Sequence, residues 1–126
     1  MTSIVHAAAA PPIPPCPSSP NCVSSQATDS HHIEPFTVTG DARAAFERLG
    51  KLLAARPDTK VIASDETMIR VEFRTLLGFV DDALFVLDPV ESLLLIRSAA
   101  RTGYWDMGKN RRRMEEIRQA FAGDRP

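Results

Sequence analysis

The stretch ALFVLDPVESLLLIRS, residues 83–98, contains two apolar runs on either side of a short turn segment. Asp88 and Pro89 favour turns, so the two runs are predicted to pair as an antiparallel hairpin. Both runs have apolar residues at consecutive positions, whereas a strand with one wet face alternates apolar and polar residues. The hairpin is therefore expected at the centre of a sheet or covered on both faces.

The sequence before this hairpin predicts a helix and two more strands. Over residues 41–56, apolar residues recur at three- and four-residue steps, which is the spacing of one face of an amphipathic helix. Asp41 can cap this helix and Pro57 stops it. Residues 67–73 alternate apolar and polar side chains, which predicts a half-buried strand, and residues 61–64 predict a shorter strand before it.

A last helix is predicted after the hairpin, with Asn110 as its N-cap and Gly123 as its stop. Its apolar residues Met114, Ile117 and Phe121 share one face. Consecutive strands joined by short turns pair as an antiparallel meander, which two helices can cover. The predicted fold class is therefore α+β: a four-stranded antiparallel meander with an N-terminal and a C-terminal helix.

Length and composition indicate one folded domain. The chain has 126 residues, of which 44% are hydrophobic and 25% charged, as is usual for globular proteins. Residues 1–15 are rich in alanine and proline and are predicted to form a flexible leader, with residues 16–126 as the domain. The 15 basic and 16 acidic residues nearly cancel, so no nucleic-acid partner is expected. No stretch approaches the roughly eighteen apolar residues of a transmembrane segment.

Four segments carry a family resemblance: CPSSPNCVSS (16–25), LGFVDD (77–82), RSAARTG (97–103) and DMGKNRRR (106–113). In this order they resemble the domain-of-unknown-function family numbered 1499, over roughly residues 16–121. The resemblance implies a small bacterial protein, often exported or envelope-associated, with plastid relatives. It implies no activity and no catalytic residue.

The first ten residues lack the basic start and the apolar segment of a complete secretory signal, although their alanine run is similar to the region around a cleavage site. With the exported character of the family, this predicts a periplasmic or otherwise extracytoplasmic location, and a cytoplasmic one stays open. Cys16 and Cys22 enclose prolines and an asparagine that favour a turn, so they are expected to form a disulfide. In a reducing compartment they would be two free thiols.

A zinc site could combine these cysteines with His31 and His32. Adjacent histidines in an extended segment project to opposite sides, however, which suits such a site poorly. We therefore expect solvated loop histidines, no metal and no cofactor.

Asp81 and Asp82 should also project to opposite sides of a strand, which argues against a paired acid and base. Residues 111–113 are three arginines in the first turn of the last helix, where the helix dipole disfavours cations. A compensating carboxylate is therefore expected. We predict that Arg97 or an arginine of this triplet pairs with Asp81, Asp82 or Asp106 and locks the helix to the sheet.

The function expected from these features is a non-catalytic binding or accessory module that recognises an unidentified ligand or an envelope protein partner. An apolar turn near arginines suits a partner with both an apolar and an anionic part. No catalytic residue is assigned; the alternative is a small hydrolase or lyase that uses an Asp/Arg cluster. Loops at one end of the meander are expected to gather the ligand-binding residues Phe79, Asp82, Arg97, Arg101, Asp106 and Asn110.

Overall fold

A computed structural model describes residues 13–123 of the chain. Residues 1–12 of the predicted leader and residues 124–126 lie outside the described part. The elements, in chain order, are β1 (Cys22–Ser24), β2 (Phe36–Thr37), α1 (Ala42–Ala55), β3 (Thr59–Ser64), β4 (Met68–Arg74), β5 (Val80–Asp88), β6 (Leu93–Ala100) and α2 (Lys109–Gly123).

The sheet is antiparallel throughout and has the strand order β1-β6-β5-β4-β3, with β2 also paired to β6. The predicted hairpin is β5–β6, and it lies in the interior of this order. The α+β class is confirmed, but the predicted number of strands is wrong, because the described chain has six strands rather than four. The missed strands β1 and β2 have three and two residues, too few for an alternating pattern to be recognised.

The two extra strands precede α1, so the first helix does not begin the fold as predicted. Both strands form where the chain runs along β6, with Val23 opposite Ser98 and Phe36 opposite Leu94. A central strand thus supplies the hydrogen-bonding edge that makes two short segments into strands. The local sequence of β1 and β2 gives no indication of this pairing with β6.

Asp41 caps α1 as predicted, since its side chain accepts hydrogen bonds from the backbone N–H groups of Arg43 and Ala44. The predicted cap of α2 is wrong, because the helix begins at Lys109, before Asn110. The side chain of Asp106 accepts hydrogen bonds from backbone N–H groups at the start of this helix instead. Its Oδ1 accepts from the N–H of Gly108 at 2.9 Å, and its Oδ2 accepts from the N–H of Asn110 at 3.0 Å.

Both helices pack against one face of the sheet, which we call the helix face. The core between them combines Phe73 and Phe85 of the sheet with Leu49 of α1 and with Met114 and Ile117 of α2, all of which are fully buried. Burial of each such side chain contributes about 1.5–3 kcal/mol relative to exposure. Neither described helix has the length and apolar character needed to cross a bilayer.

The alternate residues of β4, β5 and β6 project from the opposite face of the sheet, which we call the second face. In the hairpin these residues include the buried Val86 and Leu95. Apolar side chains therefore stand on both faces of β5 and β6, as the unbroken apolar runs of this hairpin predicted.

Candidate functional site

A groove of about 1150 Å³ lies at the end of the sheet where β4 turns into β5 and where β6 leads into α2. We call it the end groove. The β4–β5 turn contributes Leu76, Leu77 and Phe79 to its walls, and the β6–α2 loop contributes Trp105 and Met107. All five side chains are exposed, so this end of the molecule presents an unusually apolar surface.

The β4–β5 turn explains why its leucines are exposed. The N–H of Gly78 donates to the carbonyl of Thr75 at 3.0 Å, which closes a four-residue β-turn with Leu76 and Leu77 at its corners. Corner side chains project away from the turn, and Leu76 and Leu77 are 105% and 85% exposed. Gly78 has a φ of 87°. This backbone conformation is unfavourable for residues that have a side chain, but glycine adopts it readily.

The β6–α2 loop forms the facing wall. Trp105 and Met107 are each 67% exposed, and Met107 adopts a left-handed φ of 57°. Asp106, between them, turns its carboxylate toward the start of α2. Although burial opposes it, hydrogen bonds from Asn110 and Gly108 hold the pKa of Asp106 below its usual value, so this carboxylate stays ionised.

The floor of the groove carries a buried ion pair. Asp81 of β5 is fully buried, and its Oδ2 accepts a hydrogen bond from Nη1 of Arg113 at 2.9 Å. The Nζ of Lys109 lies 3.6 Å from the same oxygen. The guanidinium of Arg113 also stacks on the ring of Phe73, 4.5 Å from its centroid. This pair confirms the expected link between the arginine triplet and an aspartate of the sheet.

The other carboxylate oxygen of Asp81 has a different environment. Among the described residues, Oδ1 is buried and accepts no hydrogen bond. Asp81 also lines the end groove. A buried acceptor left unsatisfied costs about 1–3 kcal/mol, so this oxygen favours a donor from water or from a bound molecule.

Two of the six predicted ligand-binding residues, Phe79 and Asp106, line the end groove. Asn110 is fully buried and lies in a structural network instead. Its Oδ1 accepts from Oγ of Ser98 at 2.5 Å, and its Nδ2 donates to Asp106 at 2.8 Å. This network ties the start of α2 to β6.

The other predicted residues lie on the second face, so the six do not form one cluster. Arg101 donates to both carboxylate oxygens of Asp82, at 3.0 and 2.6 Å, and to Glu72 at 2.9 Å. The hydrogen bonds that Arg101 donates to Asp82 and Glu72 raise its pKa above the usual value. Arg97 donates to the carbonyl of Pro15 at 3.2 Å, and burial lowers its pKa.

Strand alternation explains this division. Asp81 and Asp82 are neighbours in sequence but project to opposite faces, as predicted, and the two faces lead to different partners. The sequence interpretation missed the importance of Lys109 and Arg113 to the groove. The available signal for Arg113 was the arginine triplet at residues 111–113, which was predicted to pair with an aspartate of the sheet but was not included among the ligand-binding residues.

Cys16 and Cys22 form a disulfide, as predicted. The histidines that follow are held by hydrogen bonds. His31 lies 2.9 Å from the carbonyl of Ser19 and 2.9 Å from Asp29, one acceptor at each ring nitrogen. His32 likewise contacts Glu34 and the carbonyl of Ala27. Two acceptors around one ring favour the protonated form, so the pKa of each histidine is raised, chiefly by Ser19 for His31.

These features define a class of protein: a small α+β domain with an open groove that has apolar walls and a charged floor. The chain belongs to the family described as "Protein of unknown function (DUF1499)", whose model matches residues 12–121. The resemblance of the four sequence segments is thereby confirmed. No curated protein and no solved structure matches the chain.

The adjacent aspartates provide a matched test of the buried pair. Asp81→Ala strands the charge of Arg113 in the interior and should lower the free energy of unfolding by about 3–5 kcal/mol. Asp82→Ala removes a half-exposed partner of Arg101 and should lower it by less than about 1 kcal/mol. Urea unfolding of both variants measures the difference. Equal losses would contradict the assignment of Asp81 as the buried partner.

His31 should make stability depend on pH. Its folded-state pKa lies above the ordinary 6.5, so the extra stability is present below that pH and is lost as pH rises through the folded pKa. The free energy of unfolding should therefore fall as the pH rises above the ordinary histidine value of about 6.5. His31→Gln should reduce this fall, and His32 accounts for a further part of it. An unchanged pH profile in the variant would reject the role of His31.

Proposed function

We propose that this protein is a non-catalytic binding or accessory module whose recognition surface is the end groove. The observation that carries the proposal is the convergence of five exposed, large apolar side chains from two loops on a groove with a buried ion pair in its floor. Soluble proteins seldom leave such a patch exposed unless it meets a partner or a ligand. The proposed partner is a ligand or an envelope protein.

The charges around the groove support a partner with an anionic part. Each carboxylate that lines it has a partner: Asp58 contacts Arg56, Asp81 contacts Arg113 through Oδ2 while its Oδ1 accepts no hydrogen bond among the described residues, and Asp106 contacts backbone N–H groups. The lining cations are less fully compensated.

Arg112 is exposed, has no carboxylate partner among the described residues, and donates to the carbonyl of Met107 at 2.5 Å. Lys109 is partly exposed and lies 3.6 Å from an aspartate that Arg113 already neutralises. An anionic group beside the apolar walls would therefore gain favourable contacts with both cations.

The contacts of the polar residues favour binding over turnover. The hydroxyl of Ser98 is buried and donates to Asn110, so it does not face the groove as a nucleophile would. Asp82 and Arg101, the centre of the alternative hydrolase or lyase, hold each other in a two-bond ion pair. A general acid or base would have to leave that pair before it could act.

The disulfide supports a proposed periplasmic or otherwise extracytoplasmic location, because such bonds persist in oxidising compartments. Protein taken from its native compartment without reducing agent should resist thiol alkylation at Cys16 and Cys22, which an intact-mass measurement reports. Two alkylated cysteines would contradict the proposed location.

Trp105 permits a direct test of the groove, because it is the only tryptophan of the chain. Dodecyl phosphate, a single-chain anionic amphiphile kept below its micelle-forming concentration, should shift Trp105 fluorescence to the blue and saturate. Phe79→Ala should weaken this binding by about tenfold or more, since it removes an apolar wall worth about 1.5–3 kcal/mol when covered.

Val90→Ala is the matched control. Val90 is 61% exposed and lies in the β5–β6 turn, at the opposite end of the sheet from the groove. This variant should bind the amphiphile like the parent. Absence of a saturable shift, or equal weakening in both variants, would place the recognition surface elsewhere.

A further inference from the structure

We infer that the end groove and its two loops dock on the surface of an anionic lipid bilayer. This inference rests on the proposed function, because it names the partner of the same surface. It is carried by three features of one end of the molecule: projecting leucines, exposed aromatic residues beside them, and two cations, Lys109 and Arg112, that are only partly compensated by carboxylates.

The leucines of the β4–β5 turn extend beyond the groove. At 105% and 85% exposure, the side chains of Leu76 and Leu77 lack neighbours on nearly every side. A small molecule held inside the groove would leave most of their surface in water. A medium that surrounds the turn would cover them fully, and the hydrocarbon region of a bilayer is such a medium.

The neighbouring β6–α2 loop carries the residues that favour the boundary between hydrocarbon and water. Tyr104 and Trp105 are 70% and 67% exposed, and each combines an apolar ring with a polar group. Such side chains concentrate at membrane interfaces. Since Leu77 and Trp105 line one groove, both loops can reach the same bilayer surface together.

The charge at this end complements anionic headgroups, although the whole chain has a net charge of −1. Arg74 and Arg101 are balanced by Glu72 and Asp82 on the second face. At the groove, Arg112 has no carboxylate partner among the described residues, and Lys109 lies 3.6 Å from Asp81, whose charge Arg113 already neutralises. The acidic residue of the β6–α2 loop, Asp106, directs its carboxylate inward to the N–H groups of Gly108 and Asn110.

A bilayer accounts for all three features at once. Its hydrocarbon covers the leucines, its interface accommodates the aromatic rings, and its phosphates contact Lys109 and Arg112. A protein partner would need a cavity shaped for two projecting leucines and an acidic rim beside it. The bilayer requires no such special shape, so the observations favour it.

Vesicle co-sedimentation of the full chain tests the inference. The parent protein should bind vesicles of phosphatidylcholine with added phosphatidylglycerol, should bind pure phosphatidylcholine at least tenfold more weakly, and should dissociate as salt is added. The double variant Leu76→Ser/Leu77→Ser should lose at least tenfold in affinity. Both residues lie outside the core, so the variant should unfold at the parent temperature, and Val90→Ser serves as the apolar-to-polar control at the opposite end.

The outcomes separate this inference from the proposed function. Failure to bind anionic vesicles, with dodecyl phosphate still saturating the groove, overturns the bilayer inference and leaves the binding module standing. The same holds if Leu76 and Leu77 prove necessary for a purified protein partner but vesicles do not bind. Vesicle binding that survives the double variant also overturns the inference. Absence of both vesicle and amphiphile binding removes the proposed function as well.

Discussion

The buried ion pair between Asp81 and Arg113 joins the last helix to the first residues of a central strand. Removal of either charge from water costs several kcal/mol, so each is tolerated in the interior only while the other is held beside it. The pair therefore requires one placement of α2 on the sheet. That placement also sets the position of Lys109 and of the loop that carries Trp105, and thus the shape of the groove.

Stability and recognition use different parts of the molecule. The core lies between the helices and one face of the sheet, and neither the β4–β5 turn nor the β6–α2 loop contributes a side chain to it. On the second face, Arg74 and Arg101 with Glu72 and Asp82 form a neutral ion cluster. Because the fold does not need Leu76, Leu77 or Trp105 for its core, these residues remain accessible to a partner.

Strong local patterns predicted the main elements correctly. The amphipathic spacing over residues 41–56 gave α1 with its Asp41 cap, and the apolar runs over residues 83–98 gave the central hairpin. The short strands β1 and β2 could not be recognised, since their pairing depends on β6, which is far along the chain. The cap of α2 was misassigned because the helix begins before Asn110. The side-chain oxygen of Asn110 accepts a hydrogen bond from the buried hydroxyl of Ser98 instead of capping the helix.

The sequence by itself determined the family, the α+β class, the disulfide spacing and the opposite orientations of Asp81 and Asp82, because each depends on local order or on a fixed strand period. Only the tertiary structure decided which groups meet. In the folded chain Asp81 pairs with Arg113, and Arg101 pairs with Asp82 on the second face. Two loops come together to form the end groove. Such contacts join residues that are distant in sequence, and chain folding rather than local preference brings them together.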